Sequence, residues 1–207
     1  MFSLMFGRLS HFVPLVASLL VAVGCVGCGS KGPAKPKTDG AAATPKIVSI
    51  VLSSAAFKNG QPMPKQFTAD GADDSPSLSW SQPPHGSKEL VIICDDPDAV
   101  SAEPWVHWII YGIKPEMMNL AERIPPDKVG TSFYGLLLQS RNSWNQFGYR
   151  GPDPSKGSGV HHYHFRVYAL NISLNLPSNA TPTKTEFLSQ MEGHVIGEGE
   201  LIGTYER

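Results

Sequence analysis

An all-β fold, an antiparallel β sandwich with one or two short helices at its margin, is the class this 207-residue chain predicts. Three observations predict it. Glycine and proline are abundant, at 20 and 18 residues, which suits a loop-rich β protein. Two stretches, Trp105 to Ile113 and His161 to Leu170, alternate with a period of two rather than 3.6. Helix signals are scarce, and one segment near the C-terminus carries a clear start.

The length allows one well-buried domain plus appendages. A formal net charge of -1 argues against a nucleic-acid binder, which normally carries a basic stripe. Residues 1–28 read as a leader. Arg8 precedes an apolar run from Phe12 to Gly24, about the length of a signal-peptide core. The run closes on Gly24-Cys25-Val26-Gly27-Cys28, which resembles the lipoprotein signal in which a cysteine is lipidated and becomes the new N-terminus. Cys25 is the expected lipidation site, although Ala22 stands where leucine is usual and Cys28 competes. A plain cleaved signal or a retained anchor are the alternatives, and all three place the folded part across a membrane. Residues 29–46 have no large apolar side chain, so they read as a flexible tether to a domain over 47–207.

Within the domain, Ile47 to Leu52 reads as the opening strand and Ser77 to Trp80 as a short one. Leu90 to Cys94 is a continuous apolar run, which suits a strand covered on both faces. In the next strand, alternation sets Trp105, His107, Ile109 and Tyr111 on one face and Val106, Trp108 and Ile110 on the other. Both sets are bulky, so this strand should be central. Met117 to Arg123 suggests a helical turn inside a long irregular stretch from Lys114 to Val160. His161, Tyr163, Phe165 and Val167 then share an inward face, while His162, His164, Arg166 and Tyr168 look outward. Thr183-Lys184-Thr185-Glu186 resembles a capping box, followed by Phe187, Leu188 and Met191 at helical spacing. Leu201 to Tyr205 closes the chain as a strand. Cys94 is alone in the domain, so no internal disulfide forms there, and it reads as a small buried hydrophobe.

Two regions carry chemistry: Asp96-Pro97-Asp98 through Trp105-Val106-His107-Trp108, and Gly148-Tyr149-Arg150-Gly151-Pro152 through His161-His162-Tyr163. Each places titratable groups at a strand end beside loop-shaping Gly and Pro. Together with Gln66-Phe67-Thr68-Ala69-Asp70-Gly71, Ser75-Pro76-Ser77-Leu78-Ser79-Trp80 and Met191-Glu192-Gly193-His194-Val195, in this order, they resemble the phosphatidylethanolamine-binding protein (PEBP) family, nearest its bacterial Raf kinase inhibitor-like branch. The resemblance runs from about Ile47 to Arg207. It implies a Greek-key β sandwich with a small pocket for phosphate-like anions and phosphoethanolamine head groups. The pocket residues it implies here are Asp96, Asp98, His107, Gly151, His161 and Tyr163. This chain departs from the branch at Arg150, Asp153 and Val100.

Each of the six has a chemical role. An imidazole donates one hydrogen bond when neutral and two when protonated, and Tyr163 donates a hydroxyl. Gly151, lacking a side chain, can bring backbone N–H groups close to a ligand. Carboxylates repel phosphate, so Asp96 should orient His107 or His161, or Asp98 should receive an ammonium. The expected function is extracytoplasmic binding of a small anion or phospholipid head group without catalysis. The alternatives are a hydrolase using an Asp/His acid–base pair, and a kinase or protease inhibitor acting through the pocket rim. Neither cofactor nor metal is expected, and no nucleic-acid partner. The expected partners are the small anion or head group, the membrane through the N-terminal lipid or anchor, and a protein at the rim. The expected location is the bacterial envelope, on the periplasmic or outer-membrane face, with secretion to the periplasm as the alternative.

Overall fold

The computed structural model describes residues 46–132, 135–176 and 180–207. The leader over 1–28, with Cys25 and Cys28, and the tether up to Pro45 lie outside the described residues. The domain opens with β1 (Val48–Ser49) and β2 (Leu52–Ser53), two pieces where one strand is expected, followed by β3 (Gln61–Pro62). A 3-10 turn at Lys65–Phe67 precedes β4 (Leu78–Trp80), β5 (Glu89–Asp96) and β6 (Trp105–Ile113). Then come β7 (Asn119–Leu120), β8 (Val129–Ser132), β9 (Gly135–Gln139), β10 (His161–Leu170), α1 (Lys184–Met191) and β11 (Val195–Tyr205).

The larger sheet has the order β1-β11-β10-β5-β6-β9-β8, with β3 also on β11, and the smaller has β2-β4-β7. The long strands pair antiparallel, whereas β1 and β3 lie parallel to β11, so the larger sheet is mixed. Met117 to Arg123 is not helical. Leu120 pairs with Leu78, and Trp80 donates its backbone N–H to Met118 O at 3.0 Å, so the spacing that suggests a helical turn belongs to a short strand. The stretch from Lys114 to Val160 is less irregular than expected, because it holds the β8–β9 pair.

Three layers result. Leu90, Ile92 and Cys94 pack between the sheets with Leu52, Leu78, Trp80, Trp108, Tyr163 and Phe165. Val91 and Ile93, pointing the other way, pack with Ile109, Tyr111, Leu170 and the helix residues Phe187 and Met191. Burial on both faces explains why β5 reads as an unbroken apolar run, and each such side chain contributes about 1.5–3 kcal/mol. The helix starts where the sequence predicts. Thr183 Oγ1 accepts from Glu186 N at 3.3 Å and Glu186 Oε2 accepts from Thr183 N at 2.7 Å, a complete capping box. Lys184 then ion-pairs with Asp95, a carboxylate 1 % exposed that also takes Arg166 Nη1 at 3.0 Å.

Two irregularities in β6 decide where its side chains point. Cys94 pairs with Trp108 but Asp95 pairs with Val106, so His107 is an extra residue bulged out of the ladder. Strict alternation would seat His107 with Ile109 and Tyr111. The bulge instead turns His107 to the side of Trp108 and Tyr163, and Val106 joins Ile109 and Tyr111. The second bulge, between Ile110 and Ile113, uses Gly112 at φ 73°, a backbone conformation favourable to glycine.

Candidate functional site

β5 ends on Asp96, β10 begins at His161, and the bulge of β6 delivers His107, so three strands meet at one end of the sandwich. Asp96 Oδ2 lies 2.7 Å from His161 Nδ1, and both residues are buried. The carboxylate can only accept, so Nδ1 is the donor. Asp96 Oδ1 accepts the backbone N–H of Asp98 at 2.8 Å, which fixes the carboxylate from its other side. His161 Nε2 in turn lies 3.0 Å from Ser158 Oγ, a hydroxyl that also reaches Ser155 O at 2.7 Å.

His107 is held differently. Its Nδ1 donates to Arg150 O at 2.6 Å, and Arg150 N donates back to His107 O at 3.0 Å. Burial pushes the His107 pKa down and outweighs the bond to the Arg150 carbonyl and the charges of Asp96, Asp73 and Asp95, so the ring is neutral at neutral pH. Its edges meet Tyr163 and Trp144 at ring separations of 5.0 Å. Tyr163 is 1 % exposed; among the described residues its hydroxyl has no partner at full hydrogen-bond distance, although Asp96 lies close enough to interact with it. Burial first, then the nearby Asp96 charge, keep its proton in place far above the usual phenol range.

These groups line a cavity of about 330 Å³. Asp96, His107, His161 and Tyr163 converge there as the sequence predicts. Asp98 and Gly151 do not line it. Asp98 Oδ2 accepts from His162 N and Nδ1 at 2.8 and 2.7 Å on the outer face. Partial burial raises the Asp98 pKa, but these bonds outweigh it and the net shift is downward. Gly151 packs behind the wall, donating its N–H to Asp73 Oδ1 at 2.6 Å. His162 and His164 sit on the outer face of a strand flanked by β5 and β11, not at a sheet edge. Cys94, buried and with its thiol pKa pushed up by burial, is no nucleophile.

The sequence reading missed the rest of the lining: Ala99, Val100, Trp105, Trp144, Asp153, Pro154, Ser155 and Ser158. Trp144 had a signal, since buried Asn142 accepts from Trp144 N and Gln146 N at 3.1 Å and builds the turn that carries it. Arg150 and Asp153, opposed charges in the sequence, neutralise each other at 3.3 Å, while the Arg150 guanidinium lies 4.7 Å over the Trp144 ring. Arg207 also reaches Asp153.

Fold and cavity together define a β-sandwich protein with a small, loop-walled polar pocket at its strand ends. The family described as phosphatidylethanolamine-binding protein matches residues 53–206, and the chain belongs to that family. A Methanothermobacter thermautotrophicus protein named UPF0098 protein is 44 % identical over 156 residues, covering 75 % of this chain and 98 % of its own. A Mycobacterium tuberculosis protein named "Putative lipoprotein LppC" is 36 % identical over 208 residues, covering 95 % of this chain and 97 % of its own. Among solved structures, the Chlamydia trachomatis PEBP homologue CT736 aligns with TM-score 0.67 at 36 % identity, over 77 % of this chain and 98 % of that one. E. coli YbcL, described as a member of the mammalian PEBP family, aligns with TM-score 0.70 at 27 % identity, over 76 % and 98 %.

Proposed function

We propose that this protein is tethered to the cell envelope through Cys25 and binds a small phosphate-like anion or phosphoethanolamine-like head group in the cavity bounded by Asp96, His107, His161 and Tyr163. One observation carries the reading. Tyr163 brings to a cavity of about 330 Å³ a buried hydroxyl that has no partner at full hydrogen-bond distance among the described residues, and an under-satisfied buried donor calls for a ligand oxygen. His107 meets the ligand as a neutral ring fixed by Arg150. The ammonium of a zwitterionic head group would be received by Asp96 or Asp153, the carboxylates that line the cavity, rather than by Asp98, which pairs with His162 on the outer face.

Calorimetric titration with O-phosphoethanolamine tests this. Wild type binds, Tyr163→Phe binds about tenfold more weakly from loss of one hydrogen bond to a charged group, and His161→Ala loses binding. Equal affinity in all three would remove the cavity from consideration. The tether is supported by the small residue before Cys25 and by the lipoprotein name of the Mycobacterium tuberculosis relative, whose match takes in most of the segment before residue 46. Mass spectrometry of the membrane-extracted N-terminus should find a diacylated Cys25, and Cys25→Ser should release the chain from the membrane.

A further inference from the structure

The contacts around His161 have an order that anion binding does not require. Ser158 Oγ lies 3.0 Å from His161 Nε2, and His161 Nδ1 lies 2.7 Å from Asp96 Oδ2. A hydroxyl on one ring nitrogen and a carboxylate on the other is the connectivity of a Ser-His-Asp relay, which is recognised by geometry rather than by sequence order. The burial of each member suits its place in such a relay. Asp96 is 3 % exposed and His161 6 %, so base and orienting carboxylate are shielded from water. Ser158 is exposed at the mouth, where a substrate can reach it. Tyr163 adds an uncommitted hydroxyl to the same cavity.

We infer that Ser158, His161 and Tyr163 form a hydrolytic centre for small neutral carboxylic esters, with Asp96 as the residue that positions His161. At rest the Ser158 hydroxyl donates to Ser155 O at 2.7 Å with His161 Nε2 3.0 Å away, and rotation of the hydroxyl alone turns its proton to the ring. Ser158 Oγ attacks the ester carbonyl carbon while its proton passes to His161 Nε2. Tyr163 donates to the carbonyl oxygen as it becomes an oxyanion. The tetrahedral intermediate collapses by breaking the bond to the alcohol oxygen, which leaves with the proton from Nε2. Water then attacks the acyl-serine, gives a proton to Nε2, and the carboxylic acid departs as Ser158 oxygen takes that proton back. The Nδ1 proton stays on His161 throughout, its hydrogen bond accepted by Asp96 Oδ2. A neutral carboxylic ester develops one negative charge, on its carbonyl oxygen, which a single uncharged donor lining the cavity, the Tyr163 hydroxyl, can meet. The inference goes beyond the anion-binding reading but is compatible with it, since phosphate is itself a tetrahedral oxyanion resembling the intermediate.

The test is labelling of the full-length chain with a fluorophosphonate probe, followed by peptide mapping and by p-nitrophenyl acetate turnover. One adduct on Ser158 is expected, absent in Ser158→Ala, an exposed-loop change that leaves the fold intact. Tyr163→Phe should slow labelling about a hundredfold, as loss of one oxyanion donor does. Asp96→Asn should slow it by at least about a hundredfold, with partial rescue in Asp96→Glu, which a merely structural role would not give. No adduct on Ser158, or turnover equal in wild type and Ser158→Ala, overturns the inference. Labelling that inorganic phosphate does not slow upholds the nucleophile and counts against the anion-binding reading.

Discussion

Replacing Gly151 with alanine isolates the packing that holds the cavity wall in place. Gly151 is not in the left-handed backbone region, so the penalty is one of space alone. A methyl there would lie 2.8 Å from Thr68 Cα and 2.9 Å from Phe67 C, and closer still to Phe67 O. Those two distances are 0.6 and 0.5 Å short of the 3.4 Å where ordinary contact begins, and every atom it meets is backbone. Phe67 O already accepts Tyr149 OH at 2.7 Å, so it has little freedom to retreat. The loop must therefore move outward. Its neighbour Arg150 then withdraws the carbonyl that fixes His107 Nδ1 at 2.6 Å, and Gly151 N leaves Asp73. Overpacking of this kind costs about 1–3 kcal/mol. For a domain this size, about 2–4 °C per kcal/mol places the fall in Tm at roughly 2–12 °C. Differential scanning calorimetry measures it, and phosphoethanolamine titration on the same sample should show weakened binding. An unchanged Tm with unchanged affinity would refute the account of Gly151 as a space-limited wall residue.

Gln139→Leu should be among the most destabilising single changes. This fully buried amide accepts Trp108 Nε1–H at 2.7 Å and donates to Pro125 O and Asp127 O at 2.8 and 2.7 Å, so leucine orphans three groups at a cost of about 2–4 kcal/mol in urea denaturation. Tyr163→Phe should leave stability within about 0.5 kcal/mol, because among the described residues the lost hydroxyl has no partner at full hydrogen-bond distance. Stability should fall on acidification partly through His107. Its folded pKa is depressed, so the unfolded chain takes up the proton first. The stability it contributes is full above about pH 6.5 and is lost as pH falls through that value toward the lower folded one. Urea midpoints compared between wild type and His107→Phe from pH 7.5 to 5 should show a shallower decline in the variant; parallel curves would exclude His107 as the source.

The long central strands were legible because their constraints are local. β6 and β10 have the bounds the alternation predicts, and the Thr183 to Glu186 box marks the helix start. The His107 bulge was not legible. One extra residue in a ladder leaves the composition unchanged while reversing which face the histidine shares, and only the pairing with β5 reveals it. The same limit applies to β1 and β3, whose two-residue pairings with β11 carry no periodicity. At the site, four of the six residues the family resemblance implied, Asp96, His107, His161 and Tyr163, line one cavity. Residue types could not tell Asp96, aimed inward, from Asp98, aimed at His162, because two residues of a tight turn differ in direction rather than in chemistry.

The way β11 is flanked bears on how copies of this protein tolerate crowding. Its open side is covered in pieces: Ile50 N donates to Glu198 O, Gly60 N to Ile202 O and Met63 N to Thr204 O, while Ile202 N is taken by Asn59 Oδ1. The outermost strands, β1 and β8, are two and four residues long. Among the described residues no long row of unspent main-chain groups flanks the larger sheet, so strand-to-strand zippering between copies finds little to begin on there. If the proposed lipid on Cys25 gathers copies onto a two-dimensional surface, that frayed border would keep dense packing from turning into aggregation.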